Sequence, residues 1–291
     1  MTRCACARIL RIANKTNCHR TRAGRFINFR FFDSAWGIRR SPTVWRKPMN
    51  LTACPLCSSD RFTFYVEKEG YRYDRCEDCA FAFLNPMPEQ MELNEIYQGQ
   101  RSITADYYPH ASSRKRKALF RAFRFRRYIR NKRVLDIGCG GGFFVNAARL
   151  LGGQASGIDV DAVTVAYARR HYPQCEFNCV SLDTYRPQQR FDFVYSFDVI
   201  EHVPNPHRFM ELLRAASAPG GYVYINTCDL GSPRLPKNVA DWGGVAPPVH
   251  TGLFMESNLR ALFERYGFET VLRYPDRKMG LKMLFRNTNS D

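Results

Sequence analysis

The chain is 291 residues long and strongly basic, with 44 lysines and arginines against 27 acids and a formal net charge of +17. Its length is ample for two domains and a linker. The sequence has no run of about 18 apolar residues, which argues against a membrane-spanning helix. We see no export signal, so we expect a cytoplasmic protein.

Residues 1–48 form a basic leader. They hold 12 lysines and arginines and one acid, Asp33, and they have no strong helical or strand pattern. Such a segment is typical of an over-extended start, a disordered basic arm or a transit peptide. Because Met49 stands immediately before the next recognisable module, we favour the first alternative and expect residues 1–48 to be untranslated or disordered.

Two paired cysteine knuckles follow. Cys54 and Cys57 are separated from Cys76 and Cys79 by a spacer of zinc-ribbon length. Two knuckles supply four thiolates to a closed tetrahedral site, and a segment of about 40 residues needs such a metal to fold. We therefore predict a ribbon with a structural Zn²⁺ over residues 49–88. Two disulfides or four unrelated thiols are the alternatives.

A basic helix is predicted after the ribbon, within a helical linker or cap over residues 89–132. Arg114–Arg133 contains 11 lysines and arginines and no acid, while Ala118, Ala122, Phe125 and Ile129 recur at helical spacing. The charges indicate either a solvated face or a site for phosphates, belonging to RNA or to a phosphorylated small substrate.

The run Val134–Phe144 reads as a buried strand, a glycine turn and the start of an apolar helix. Glycines allow a sharp turn and close backbone approach, and the N–H groups that open a helix attract polar ligands. Asp159 follows Asp136 at the distance where a carboxylate can accept both hydroxyls of a ribose. The dinucleotide pattern G-x-G-x-x-G fits poorly, because its third glycine would fall at Phe143. We predict a nucleotide-type cofactor site.

Further strands and helices are predicted downstream, with polar residues where one strand ends. Phe191–Phe197 is a buried strand, and Asp198, Glu201 and His202 follow it. After these residues come a helix, a glycine turn, a strand, a second helix and two last strands. They are expected near Pro206–Ser217, Pro219–Gly221, Tyr222–Thr227, Met255–Tyr266, Phe268–Tyr274 and Leu281–Phe285.

The pattern D-x-G-x-G-x-G, made by Asp136, Gly138, Gly140 and Gly142, resembles motif I of the class I S-adenosylmethionine-dependent methyltransferases. The run from Phe191 to Gly221 is similar to that family's "fDvV…lEHv…PGG". The resemblance covers about residues 107–287. It implies S-adenosyl-L-methionine as cofactor and an α/β catalytic domain over residues 133–291. The expected fold is a Rossmann-like, seven-stranded, mostly parallel sheet with helices on both faces.

The resemblance also implies which residues meet the cofactor. It puts Asp136, Gly138, Gly140 and Gly142 around the methionine part and Asp159 on the ribose. The family often carries an acid after the third strand to hold the adenine amine, and this sequence offers Ser181 or the later Asp183 instead. We add Asp198, at the end of the fourth strand, to the cofactor-binding candidates.

Three residues are candidates for acid–base work. Methyl transfer needs in-line positioning and exclusion of water, and a hydroxyl or carbon acceptor must also lose a proton. His202 and Glu201 lie where the fold opens its cleft, and His250 lies in a loop that shapes the family's substrate site. A turn-stabilising role is the alternative for either histidine. Ubiquinone-pathway O-methyltransferases carry a similar acid-x-x-Glu-His pattern linked to a divalent ion, so Asp198, Glu201 and His202 are alternatively a divalent catalytic metal site.

The expected function is methylation of a small-molecule substrate, namely a biosynthetic intermediate such as a sugar or quinone precursor. Residues 81–88, Leu93–Tyr97 and the pair Tyr107 and Tyr108 resemble the lead-in of zinc-ribbon methyltransferases, which helps form the substrate side of the cleft. Ordinary interface aromatics are the alternative for the two tyrosines. An RNA methyltransferase using the ribbon and the basic helix is the second hypothesis. A non-catalytic zinc-ribbon adaptor is the third, and the intact glycine turn and Asp159 disfavour it.

Overall fold

The computed structural model describes residues 50–88, 93, 103–276 and 278–290. The predicted basic leader, residues 1–48, lies outside the described residues, as does most of the lead-in segment around residues 94–97. None of the described helices is long and apolar enough to cross a membrane.

A small antiparallel sheet carries the cysteine knuckles. It contains strands β1 (Phe62–Lys68), β2 (Tyr71–Cys76) and β3 (Ala82–Leu84). Glu69 and Gly70 join β1 to β2 with φ angles of 54° and 81°, the left-handed pair that a tight two-residue hairpin turn needs. The predicted ribbon segment thus forms a hairpin and a third strand between and around its cysteines.

The basic segment folds as the predicted amphipathic helix, with a break. Helix α1 (Ala111–Arg124) is followed by the short helix α2 (Arg126–Ile129), and Phe125 lies between them. Ala118, Ala122, Phe125 and Ile129 are all buried, as their spacing predicts. They pack with residues of the main sheet and of the helix after the glycine turn.

The main sheet has seven strands. They are β4 (Arg133–Ile137), β5 (Gln154–Asp159), β6 (Glu176–Cys179), β7 (Phe191–Phe197), β8 (Ser217–Cys228), β10 (Phe268–Tyr274) and β11 (Gly280–Asn287). Their order is β10-β11-β8-β7-β4-β5-β6, and within this sheet only β11 runs opposite to the others. This arrangement confirms the predicted mostly parallel sheet.

The Pro219–Gly221 turn differs from the prediction, because it lies inside β8 rather than before it. The pairing of β8 with β7 shifts between Phe191, opposite Ser217, and Phe193, opposite Tyr222. The extra residues bulge out of the ladder, and Gly220 takes a φ of 70° to allow it. The strand is therefore continuous through the glycines.

Helices cover both faces of the main sheet, because successive strand residues point to opposite faces. Besides α1 and α2 they are α3 (Phe143–Leu150), α4 (Ala162–His171), α5 (Pro206–Ala216) and α6 (Glu256–Arg265). Val134 belongs to one buried cluster with residues of α1 and α3, whereas Leu135 belongs to another that includes residues of α5 and α6. Buried strand residues on both sides are typical of a parallel sheet with two covered faces.

The small sheet is tied to the main sheet and its helices. A fourth strand, β9 (Gly252–Leu253), pairs with β3 and comes from the loop after β8. The ring of His207, in α5, hydrogen-bonds the carbonyl of Leu56 over 3.0 Å, and the Asn258 amide of α6 donates to the carbonyl of Cys79 over 3.1 Å. Apolar residues of both sheets belong to one continuous core.

Candidate functional site

A cavity opens where the parallel strands β4, β5, β6 and β7 end. The carboxyl ends of parallel strands meet at one edge of a sheet, so residues far apart in sequence converge there. The cavity has a volume of about 230 Å³ and a largely apolar lining with a few polar groups, as is usual for small-molecule sites. Four of the predicted cofactor residues line it: Gly138, Asp159, Ser181 and Asp198. Asp183, the alternative to Ser181, lines it too.

The glycine turn is held by Asp159. The carboxylate of Asp159 accepts hydrogen bonds from the backbone N–H of Gly140 over 2.7 Å and of Asp161 over 2.9 Å. Gly138 has a φ of 75°, and a Cβ there would lie 2.4 Å from a methyl of Val199. Only glycine therefore permits this turn to pass the chain that follows β7.

The structure places three predicted cofactor residues, Gly140, Gly142 and Asp136, outside the cavity lining. Gly140 lies in the turn, where its N–H donates to Asp159. Gly142 is the N-cap residue of helix α3, and a Cβ there would meet the ring of Phe177 at 2.6 Å and the methyl of Ala168 at 2.9 Å, so packing alone explains a glycine. Asp136 is buried beneath the turn. Burial, together with the nearby Asp159 carboxylate, raises the pKa of Asp136 well above its usual range.

Tyr108 packs directly on the glycine turn. Its ring lies 2.7 Å from the position that a Cβ of Gly141 would take, and it makes edge contacts with Phe143 and Tyr167 at centroid distances of 5.0 and 5.2 Å. Tyr107, by contrast, is 59% exposed. The sequence analysis gave the two tyrosines the same role, but of the two only Tyr108 packs against the glycine turn.

Asp198 is positioned by the neighbouring strand. Its N–H donates to the carbonyl of Asn226 over 2.9 Å, and its carboxylate accepts from the Asn226 amide. Its φ is 56°, a left-handed conformation that Asp tolerates better than most residues. Burial raises the pKa of Asp198, and the bond from Asn226 opposes that rise.

Glu201 lies beneath the cavity and does not line it. The side chain is 2% exposed, and Oε2 has no hydrogen-bond partner among the described residues. Burial, followed by the charge of Asp198, raises the pKa of Glu201 to about 8. Its backbone carbonyl accepts the N–H of Thr251 over 2.7 Å, which fastens the loop that carries His250. At neutral pH Glu201 is therefore mainly a neutral acid.

The two candidate histidines meet edge to face, with ring centroids 4.7 Å apart. The Nδ1 of His202 lies 2.8 Å from the carbonyl of Val249, and the Nδ1 of His250 lies 2.8 Å from the carbonyl of Gly244. A carbonyl only accepts, so each Nδ1 carries a proton, and in the neutral form of either ring the lone pair is on Nε2. His202 lines the cavity, whereas His250 lies behind it. Burial lowers the pKa of His250 and keeps this ring neutral.

The structure changes which residues make up the candidate catalytic metal site. The structure groups His250, and not Asp198, with Glu201 and His202: one ligand-capable atom of each lies within 4.8 Å of the other two. Asp198 is instead bound to Asn226. The sequence pattern placed Asp198 in this group because it precedes Glu201, but the turn after β7 carries the two carboxylates to different neighbours.

The four knuckle cysteines converge as the spacing predicts. Sγ of Cys54 lies 3.7 Å from Sγ of Cys79, and Sγ of Cys57 lies 3.5 Å from Sγ of Cys76. All four are free thiols, because these separations are far too long for a covalent bond between sulfurs. Four thiolates at about 2.3 Å from one Zn²⁺ in a tetrahedron lie about 3.8 Å from each other. The cluster therefore fits one tetrahedral ion.

Several site residues were not found by the sequence reasoning. Asn226 lies near the end of β8, beside β7, and a polar residue there was a usable signal. Arg208 and Phe209 line the cavity from the start of α5, and nothing in their pattern separates them from an ordinary helix face. Tyr73, in β2, donates its hydroxyl to the carbonyl of His250 over 2.6 Å, a contact between segments far apart in the sequence.

Comparison with known proteins agrees with this geometry. A family model described as "Methyltransferase domain" matches residues 108–273. The chain is 33% identical over 117 residues to the ubiquinone biosynthesis O-methyltransferase of Idiomarina loihiensis, covering 38% of this chain and 45% of the relative. It is 27% identical over 153 residues to that of Bradyrhizobium sp. (strain ORS 278), covering 46% and 60%. The chain thus spans about half the length of the curated relatives that it matches.

A solved structure shares the fold. The CcbJ methyltransferase of Streptomyces caelestis superposes with a TM-score of 0.50 at 14% identity, covering 60% of this chain and 90% of that one. The family match includes the glycine turn, Asp159 and the residues after β7, and the sheet order is that of the class I fold. The chain belongs to the methyltransferase family and is a class I S-adenosylmethionine-dependent methyltransferase.

Proposed function

We propose that this protein methylates a small biosynthetic intermediate by in-line displacement, with His202 as the general base. The observation that carries the proposal is the cavity at the strand ends, which is lined both by four of the predicted cofactor residues and by His202. The names of the curated relatives point to ubiquinone precursors, and sugars are the other substrate class that the sequence favours.

S-adenosylmethionine supplies a methyl group activated by a sulfonium charge. Gly138 and Gly140 admit the methionine end, with the buried Asp136 beneath the turn, and Asp159 accepts the ribose hydroxyls. The Asp159 carboxylate also accepts two backbone N–H groups of the chain around it, so its orientation is fixed by the protein itself. Ser181 and Asp183 line the far side of the cavity, where the adenine amine is expected. Asp198 lines it near His202.

His202 is the better general base of the two histidines. Its Nδ1 is fixed by the Val249 carbonyl, which leaves a lone pair on Nε2 to accept a proton from the acceptor hydroxyl or carbon. His250 packs against the ring from behind and keeps it in place. Glu201 is a poor base at neutral pH because its carboxyl group retains its proton.

The cysteine cluster holds a structural Zn²⁺ in this proposal. The ion supplies stability that a short ribbon lacks, and the ribbon in turn holds the loop of His250. Support comes from the separations of the sulfur atoms, the pairing of β3 with β9 and the bond from Tyr73 to the His250 carbonyl. Lys68 adds a bond to the carbonyl of Val245 over 2.7 Å in the same loop.

A divalent catalytic metal at Glu201, His202 and His250 is the alternative role for the cluster behind the cavity. Carboxylate and imidazole ligands suit such an ion. Activity that survives chelation mild enough to leave the ribbon zinc bound argues for the base. Activity that is lost, and that is restored by Mg²⁺ or Mn²⁺ alone, argues for the metal.

The experiment that tests the function is a transfer assay with labelled S-adenosylmethionine. Purified protein is offered a small-metabolite fraction, quinone precursors and sugars, and separately a total RNA fraction. We expect label in the small-molecule pool. Label confined to RNA would contradict the proposal and favour the RNA methyltransferase, and absence of S-adenosylmethionine binding by calorimetry would favour the non-catalytic adaptor.

A further inference from the structure

The outward face of α1 combines exposed apolar side chains with positive charge. Leu119, Phe120 and Phe123 are 46%, 72% and 55% exposed. At about 100° per residue they span about 100° of the helix surface, with Phe120 opposite the buried Ala118 and Ala122 and Leu119 nearest to them. A monomeric surface normally carries single exposed apolar residues, so three on one stripe of a helix need a partner.

The charges around this stripe are all positive. Arg116 lies between the apolar side chains on the helical wheel, Lys117 flanks them, and both are exposed. Within the described ranges no lysine or arginine of α1 is ion-paired to a carboxylate. Arg121 and Arg124 fold back over the rings of Phe197 and Tyr274 at 3.9 and 4.3 Å.

The guanidinium of Arg126 extends this surface beyond the end of α1. It lies 4.8 Å from the ring centroid of Phe123, so charge and apolar surface adjoin. Acids are absent from the whole segment 114–133. On the outward face of α1, basic side chains therefore surround the stripe of exposed apolar side chains.

We propose that this outward face of α1, defined by Arg116, Lys117, Leu119, Phe120 and Phe123, docks on an anionic lipid bilayer. A helix that lies in the membrane interface inserts its aromatic and aliphatic side chains at the boundary of the acyl chains, while its lysines and arginines meet acidic headgroups. The proposal is independent of which acceptor the enzyme methylates.

Two other occupants fit the surface less well. RNA would satisfy the charges, and its bases could stack on the phenylalanine rings, but Leu119 offers no plane for stacking. A second copy of this chain would bury the apolar stripe, but it would bring two acid-free basic helices together. Like charges held close in this way are destabilising.

Docking also has a geometric consequence. Helix α1 begins at Ala111, just after Tyr108, and that tyrosine packs on the glycine turn. The docked helix therefore starts beside the cofactor edge of the sheet. A substrate with a lipid tail would reach the enzyme at the same edge.

The test is flotation of the full chain with vesicles of pure phosphatidylcholine and with vesicles in which about a third is replaced by phosphatidylglycerol. One variant carries Phe120→Ser with Phe123→Ser, and another carries Arg116→Glu with Lys117→Glu. Matched controls change exposed residues elsewhere, Val271→Ser with Leu272→Ser and Arg214→Glu with Lys237→Glu. The basic leader is the same in all of them.

We expect binding to the anionic vesicles only, with partitioning reduced about tenfold in each α1 variant and unchanged in each control. Equal binding of parent and α1 variants overturns the proposal, as does equal binding to both vesicle types. Retention of RNA without vesicle binding, lost in the α1 variants, identifies RNA as the occupant instead. Self-association of the parent that the phenylalanine variant abolishes identifies a second copy.

Discussion

Among the individual residues, Asp159 links the glycine turn to the cavity. It accepts two backbone N–H groups and lines the space where a ribose is expected. A carboxylate is suited to both tasks, because charge-assisted hydrogen bonds are stronger than neutral ones. The residue is therefore the most direct probe of the cofactor assignment.

We expect Asp159→Ala to weaken S-adenosylmethionine binding about ten- to a hundredfold, because each lost hydrogen bond to a charged group is worth about 1.5–3 kcal/mol. Isothermal calorimetry measures the change. Asp241→Ala, an exposed acid away from the cavity, is the control and should bind as the parent does. Undiminished affinity of Asp159→Ala would show that the ribose lies elsewhere.

His202 and His250 are expected to differ in their effect on catalysis. His202→Gln should lower kcat by about 10²- to 10⁴-fold, the usual contribution of a general base, while cofactor affinity is kept. His250→Gln should cost less, because His250 touches the cavity only through His202. Steady-state kinetics with a saturating acceptor measures both. A larger loss for His250→Gln would exchange the two roles.

Glu201 should make stability depend on pH. Its pKa is about 8 in the folded protein and about 4.5 in the unfolded chain, so the folded state holds an extra proton between these values. The stabilisation by this group is therefore fully present below about pH 4.5 and is lost as pH rises through 8. Glu201→Gln should flatten the decline of the melting temperature over this range. An unchanged slope would mean that Glu201 is ionised in the fold.

Among the secondary-structure elements, the ribbon and the loop that carries His250 form one unit. Strand β9 follows His250 closely and adds to the ribbon sheet, and Tyr73 of β2 holds the His250 carbonyl. The sequence predicted a ribbon over residues 49–88 as a module of its own. It could not reveal β9, because so short a strand has no periodicity and its partner β3 lies far away along the chain.

Loss of the zinc proposed for the ribbon should therefore disturb the loop that carries His250. We expect Cys54→Ser to reduce zinc content, lower the melting temperature and lower kcat several-fold, while S-adenosylmethionine affinity changes little. Metal analysis, thermal unfolding, kinetics and calorimetry measure these four quantities. Cys179→Ser, an exposed cysteine outside the cluster, is the matched control. A Cys54→Ser protein with full zinc and full activity would contradict the assignment.

Across the entire described fold, the ribbon and the main sheet share one apolar core. Elements that share a core unfold together when neither buries enough apolar surface alone. The predicted boundary at residue 88 divides the chain by sequence pattern, but the packing joins the first module to helices α5 and α6 through His207 and Asn258.

We expect a single calorimetric unfolding transition for the described part of the chain. Removing the zinc proposed for the ribbon should lower the midpoint of this transition. S-adenosylmethionine should raise the midpoint of the same transition, since a ligand at about a hundredfold excess over Kd adds about 2.7 kcal/mol to the free energy of unfolding. Differential scanning calorimetry measures both shifts. Two resolved transitions, one sensitive to zinc and the other to cofactor, would show that the modules fold independently.

Local signals in the sequence were sufficient to predict individual strands, the glycine turn with Asp159 and the convergence of the four cysteines, and the resemblance to class I methyltransferases added the seven-stranded, mostly parallel sheet. These signals are apolar strand runs, glycines where the backbone must turn and knuckles at metal-ligand spacing. Four features came only from the tertiary structure. Two concern the histidine site: the contact between the rings of His250 and His202, and the protonated state of the Glu201 carboxyl group. The other two are the hydrogen bond from Asn226 to Asp198 and the pairing of the ribbon strand β3 with β9. Each of these depends on burial or on contacts between distant segments, which no local pattern encodes.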